Sequence, residues 1–189
     1  MGRFYHKHFS DATAWPRAAK EIAYPNERRL QLAEALREQN GDSPSLSKLA
    51  QPGTVAVVTG QQVGLFSGPA YTIYKALTAV KLARQLDEQG IPAVPVFWLA
   101  TEDHDLAEID HCWMFDEQAT IRKVALSDTA ATGGPVGDIR MKSVPIAELR
   151  EALGELPFAE EVVRRLEASY CTGATLGAAF QSFLREALK

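Results

Sequence analysis

Glu102, Asp103, His104 and Asp105 stand in a row directly after the apolar run "IPAVPVFWLA". A histidine among carboxylates at the end of a buried strand suits two kinds of chemistry. It can be a general acid or base whose pKa the carboxylates raise, or it can join them around a divalent cation. Zinc fits poorly, because no second His or Cys falls at ligand spacing and His111 lies inside a strand-like run. Glu102, Asp103, His104 and Asp105 are thus candidate site residues on either reading, although no metal is predicted for the chain as a whole.

A second polar group ends the run "TVAVVT": Gly60 and Gly64 bracket Gln61 and Gln62 in "TGQQVGLFSGP". Turns ordinarily recruit Gly, Asn, Asp, Ser and Pro, and glutamine has no backbone reason to be there. Each amide carries donors and an acceptor, so the pair can orient a polar ligand without adding charge. Neither glutamine can act as an acid or base. The glycines let backbone N–H groups approach a ligand ahead of a helix N-terminus, yet the spacing matches neither the Walker pattern nor GxGxxG. Lys75, inside the following helix, can reach back to offer a cation to a phosphate or carboxylate. A plain tight turn and a solvated helix lysine would account for the same spacing.

The elements around these groups place them together. "TVAVVT" is short, β-branched and apolar on both faces, as in a central strand covered on both sides. Pro69 opens a helix that runs to Gly90, with Ile73, Ala76, Leu77, Val80 and Ala83 on one stripe. "IPAVPVFWLA" is a second strand. Strand, helix and strand make a βαβ unit, which requires parallel strands and a right-handed crossover. Ligands of open parallel sheets bind beyond the carboxyl ends of the strands, and both polar groups sit at such ends. The predicted fold class is α/β.

Elsewhere the signals are coarser. Residues 1 to 23, including His6 and His8, are aromatic and show no clean period. "NERRLQLAEALREQNGD" predicts a helix with Leu30, Leu32, Ala33 and Leu36 inward. Asp42 to Gly53, with Pro44, Pro52 and several serines, reads as a loop. After a helical turn come two strands around a turn at Asp116 to Ala119, then a glycine-rich loop with an edge strand in "TAATGGPVGDIRM". Helices follow at Ala147 to Gly154, Ala159 to about Tyr170, and along "LGAAFQSFLREALK".

Composition narrows the function classes. The 189 residues are 46% hydrophobic and 23% charged, which is the make-up of a folded globular domain. Twenty Lys+Arg against 24 Asp+Glu give a formal charge of −4, so broad binding to nucleic acid or an anionic membrane surface is not expected. No apolar run reaches membrane-helix length and the N-terminus is too polar for a signal peptide, which reads as a cytoplasmic protein. Cys112 and Cys171 lack metal-like spacing and read as reduced thiols.

Taken together, "VAVVTGQQVGLFSGPAYTIYKALTAVKLA", "VPVFWLATEDHDLAEIDH", the lead-in "LSKLAQPGT", the loop "GGPVGDI" and the closing "LGAAFQSFL" resemble the bacillithiol-biosynthesis cysteine-adding enzymes. The resemblance implies a Rossmann-like core with inserted segments. It also implies a ligase that attaches L-cysteine to the amino group of glucosaminyl-malate. By it, Gln61 and Gln62 position substrate, Lys75 neutralises a carboxylate or phosphate, and His104 with Asp103 or Asp105 deprotonates the attacking amine. Amide formation needs an activated carboxylate, which points to ATP, although no motif carries it.

The segments then read as an N-terminal helical lead-in at 1–53, the βαβ core with its ligand loops at 54–110, and an inserted β/loop segment with closing helices at 111–189. Family members are much longer and dimerise through a coiled coil that these residues do not contain. The chain therefore reads as their N-terminal portion, with little activity expected alone. The alternative reading is a non-catalytic domain that holds a small polar ligand or nucleotide.

Overall fold

The computed structural model describes residues 8, 11, 13–127 and 133–188. His6 and part of the glycine-rich loop lie outside them. The chain divides into two compact units, residues 1–59 with 76–97, and residues 60–75 with 98–189.

In the first unit, helices α1 (Ala14–Glu21), α2 (Asn26–Asn40) and α3 (Pro44–Leu49) precede strand β1 (Val55–Gln62), helix α4 (Tyr71–Glu88) and strand β2 (Ala93–Ala100), the last three continuing into or out of the second unit. β1 and β2 pair, with the Val55 N–H donating to the Pro92 carbonyl at the start of both. At the other end Gly60 lies against Trp98. Starts meet starts and ends meet ends, so the strands are parallel and α4 is their crossover, as expected. Gly90, at φ +76°, stops the helix. Val55, Ala83, Leu86 and Ala93 form one apolar cluster, and Leu46, Leu49 and Val94 another.

Several expectations are corrected here. β1 is not covered on both faces, since Val58 is 62% exposed; the β-branched run packs on one side only. In α4, Leu77 is exposed, while Ala76, Ala79, Ala83 and Leu86 are buried, because small side chains let the helix lie close. The 42–53 loop contains α3: Ser43 Oγ accepts the Leu46 N–H at 3.2 Å and Pro44 takes the first turn, so its serines and proline are helix-start signals. The aperiodic N-terminal segment contains α1.

In α2, Leu30 and Leu32 face solvent and Arg29 is buried with Ala33. Arg29 donates from Nη1 to the carbonyls of Thr54 (2.7 Å) and Leu49 (3.1 Å), satisfying backbone acceptors ahead of β1 that have no strand partner. Tyr24 stacks on its guanidinium at 5.6 Å. Replacing Arg29 with Met should therefore cost roughly 2 kcal/mol, mostly through orphaned carbonyls. At this chain length that corresponds to a melting point lower by about 4–8 °C, readable by calorimetry.

The second unit holds α5 (Leu106–Ile109), the antiparallel hairpin β3 (His111–Phe115) and β4 (Ile121–Ala125), and helices α6 (Ile146–Leu153), α7 (Ala159–Ser169) and α8 (Leu176–Ala187). The hairpin and the three helices fall where the pattern puts them. The edge strand near Arg140 reduces to one isolated bridge to Thr175. Leu65, Cys112, Met141, Leu149, Tyr170, Leu176 and Phe180 are among its buried side chains. Among the described residues, no helix is long and apolar enough to cross a membrane.

Candidate active site

β1 runs past Thr59 to Gln62, so the glutamines are the carboxyl end of a strand rather than loop residues. β2 ends at Ala100, and Glu102 to Asp105 follow within the same unit. Gly60 has a definite reason to be glycine: a Cβ there would lie 2.7 Å from the Trp98 carbonyl oxygen and 2.9 Å from its Cβ.

The strand ends are tied together by side chains. Gln62 Nε2 donates to Asp103 Oδ2 at 2.6 Å and to Glu108 Oε2 at 2.7 Å, using both of its hydrogens. Gln61 Nε2 donates at 3.5 Å to Gln62 Oε1, and Gln61 Oε1 accepts from Lys75 Nζ at 2.9 Å. Lys75 also donates to the Gly60 carbonyl at 3.3 Å and rests over the Tyr71 ring at 4.7 Å. A continuous polar chain thus runs from one cation through two amides to two carboxylates. One Gln61 N–H and one lone pair on each glutamine oxygen are left over for a ligand.

Asp103 is the most heavily bonded member. Besides Gln62, its Oδ1 accepts the backbone N–H of His104 (2.7 Å) and of Asp105 (3.2 Å). The Gln62 bond first, then these two, hold its carboxyl below the usual 3.8. A depressed folded value stabilises the fold above the unfolded carboxyl value, and that contribution fades as pH falls from about 3.8 through the lowered value. Gln62→Leu should move the Asp103 titration midpoint upward, which carbon-detected NMR of the carboxyl would register, and should shift the onset of acid unfolding to higher pH.

His104 is exposed, and its Nδ1 lies 3.1 Å from the Glu102 carbonyl. A carbonyl can only accept, so Nδ1 carries a proton, and in the neutral ring the lone pair is then on Nε2. Glu102 takes a long bond from Trp98 Nε1 at 3.4 Å, and Asp105 precedes α5 without capping it. The segment is held from beneath by the turn at Val136–Asp138. Val136 N–H donates to the Asp103 carbonyl (2.7 Å) and Gly137 N–H to that of Thr101 (3.0 Å).

Gly64 lies in the turn that follows β1. Its N–H donates to the Gln62 carbonyl at 3.0 Å, and a Cβ on it would meet Gly68 Cα at 3.1 Å. Phe66 and Ser67 adopt left-handed backbone at φ 50° and 73°. Such non-glycine residues cost of order 1–3 kcal/mol each. Tyr170 meets this turn from the far end of α7. Its hydroxyl accepts the Ser67 N–H and donates to the Gly64 carbonyl, both at 2.9 Å.

All nine residues singled out by sequence fall in this unit, and Gln61, Gln62, Lys75 and Asp103 are directly linked. Glu108 and Tyr170 were not anticipated. A carboxylate in the first turn of a short helix is an ordinary charge preference, and Tyr170 is 103 residues from Ser67. No His/Cys/Asp/Glu group suited to a metal occurs among the described residues. Cys112 is buried and its thiol is pushed up to about 11 by desolvation, which disfavours a nucleophilic thiolate.

A parallel βαβ unit whose strand ends carry a cation, amides, carboxylates and an imidazole is an α/β domain of the open-sheet kind. The family model described as "Bacillithiol biosynthesis BshC, N-terminal Rossmann-like domain" matches residues 1–189, and the chain belongs to this family. The expected Rossmann-like class is thereby met. Among its relatives, proteins named "Putative cysteine ligase BshC" from Solibacter usitatus, Koribacter versatilis and Chlorobaculum tepidum are 53%, 40% and 39% identical. The matches cover 98%, 78% and 84% of this chain, but only 35%, 28% and 30% of those proteins. The chain spans about a third of the length of the curated relatives it matches.

Proposed function

We propose that this domain supplies the amine-handling part of a ligase that joins the carboxyl carbon of L-cysteine to the sugar nitrogen of glucosaminyl-malate. The observation that carries the reading is the Gln62 bridge between Asp103 and Glu108, beside an imidazole with a free lone pair. The relatives' name supplies the reaction class.

In this reading the anionic pair attracts the ammonium form of the incoming amine. The ammonium gives one proton to solvent, and the free amine attacks the activated carboxyl carbon of L-cysteine. The bond from that carbon to its activating group breaks, and His104 Nε2 accepts the second proton that the nitrogen loses as the amide forms. Lys75, through Gln61, sets a positive group at the opposite end of the chain, suited to a substrate carboxylate. Asp103, satisfied by three donors and held ionised, anchors the His104 segment instead of moving a proton itself. Carboxylates outnumber Lys75 here, so the cluster does not fit a triphosphate, and these residues take no part in an ATP-dependent step.

The test is mass-spectrometric detection of cysteinyl-glucosaminyl-malate. It would be formed from L-cysteine, glucosaminyl-malate and ATP by a protein of the relatives' full length that carries this domain. Product formation is expected. Saturable binding of glucosaminyl-malate with no product would favour a non-catalytic binding domain.

A further inference from the structure

We propose that Tyr170 is a positioning residue for the strand-end cluster, acting through the left-handed turn at Phe66–Ser67; this rests on the functional reading above. The route is explicit. The Tyr170 hydroxyl donates to the Gly64 carbonyl at 2.9 Å, and the Gly64 N–H donates to the Gln62 carbonyl at 3.0 Å. Gln62 in turn bridges Asp103 and Glu108. The same hydroxyl accepts the Ser67 N–H, so one oxygen holds both sides of the turn.

Two features make the device necessary. Phe66 and Ser67 are both non-glycine at positive φ and both buried, so the turn is unfavourable in itself and persists only while its surroundings hold it. Tyr170, only 1% exposed, packs its ring edge-on against Phe66 with centroids 5.4 Å apart. Burial also pushes its phenol far above the ordinary range, so the hydroxyl keeps its proton, and its donor bond, at any working pH.

The experiment compares the chain with Tyr170→Phe, Ser67→Gly and the double variant by NMR, with no substrate present, so failure of turnover leaves its outcome intact. In Tyr170→Phe the Ser67 amide should exchange at least about tenfold faster, since the phenol oxygen that accepts it is gone. The Gln62 side-chain amide should shift, and the Asp103 carboxyl should titrate at higher pH, while amides of the β3–β4 hairpin keep their protection. Ser67→Gly, which tolerates positive φ, should reduce the effect of Tyr170→Phe on Gln62 and Asp103. Should Tyr170→Phe alone not fold, the double variant should fold and show a smaller upward displacement of the Asp103 titration relative to Ser67→Gly. An unchanged Gln62 amide and Asp103 midpoint, with the Ser67 amide deprotected, would overturn the proposal and leave Tyr170 a local structural residue.

Discussion

His104→Gln, carried in a protein of the relatives' full length, should lower the rate constant for amide formation by about 10²–10⁴-fold, the usual contribution of a positioned general base. Glutamine keeps a donor that can reach the Glu102 carbonyl, so the segment from Glu102 to Asp105 should keep its shape and KM for glucosaminyl-malate should move little. The loss belongs to kcat because only the proton acceptor is removed. Steady-state kinetics with product quantified by mass spectrometry reads both parameters. A variant with unchanged kcat would remove the imidazole from the mechanism.

Gly137→Ala should be strongly damaging for a single methyl group. A Cβ at position 137 would lie 2.5 Å from Thr101 Cβ, 2.8 Å from its Cγ2 and 3.0 Å from its Cα, so no rotation of Thr101 relieves the contact. One side of the clash is the stretch that leads into Glu102 to Asp105. The other is the turn whose N–H groups bind the carbonyls of Thr101 and Asp103. The expected cost is about 3 kcal/mol, at the upper end for overpacking, or a melting point lower by about 6–12 °C for a chain of this size. Chemical denaturation measures it directly. Thr101→Gly in the same background removes the opposing Cβ and should recover part of the loss, a coupling expected only of residues in contact. Any surviving fold should position His104 poorly, so activity should fall more than stability alone explains.

How far such geometry could be read from the residues depends on the range over which each is determined. The parallel βαβ unit was legible because three local signals agree: a β-branched run, a long helix ended by Gly90, and a second apolar run. Topology then places Gln61–Gln62 and Glu102–Asp105 at carboxyl ends of neighbouring strands, and the Gln62–Asp103 bond realises that placement. The lead-in was less legible. In α2 the buried face is chosen by Arg29, whose partners lie 20 and 25 residues away, and Leu30 and Leu32 are left outside. Ser43 and Pro44 suit a helix start as well as a loop, and only the burial of Leu46 and Leu49 decides between them.

In the candidate site the missing pieces were those whose side chains are ordinary in isolation. Glu108 matters because Gln62 has a second hydrogen to give, and Tyr170 because a turn far from it in sequence is unfavourable on its own. Nor did spacing reveal that the glutamines spend most of their bonding on the protein. They read as ligand-orienting amides at first. In place, they also couple Lys75 to two carboxylates and leave one donor and two acceptor lone pairs for a substrate.

The most direct test is the dissociation constant of glucosaminyl-malate, measured calorimetrically for a protein of the relatives' full length and for its Asp103→Asn variant. The substitution removes the charge and leaves one acceptor oxygen, so either Gln62 or the His104 and Asp105 N–H groups also lose their acceptor. If the strand-end cluster receives the amine, binding should weaken by about tenfold, equivalent to about 1.4 kcal/mol. An unchanged dissociation constant, with the wild-type protein binding normally, would contradict it.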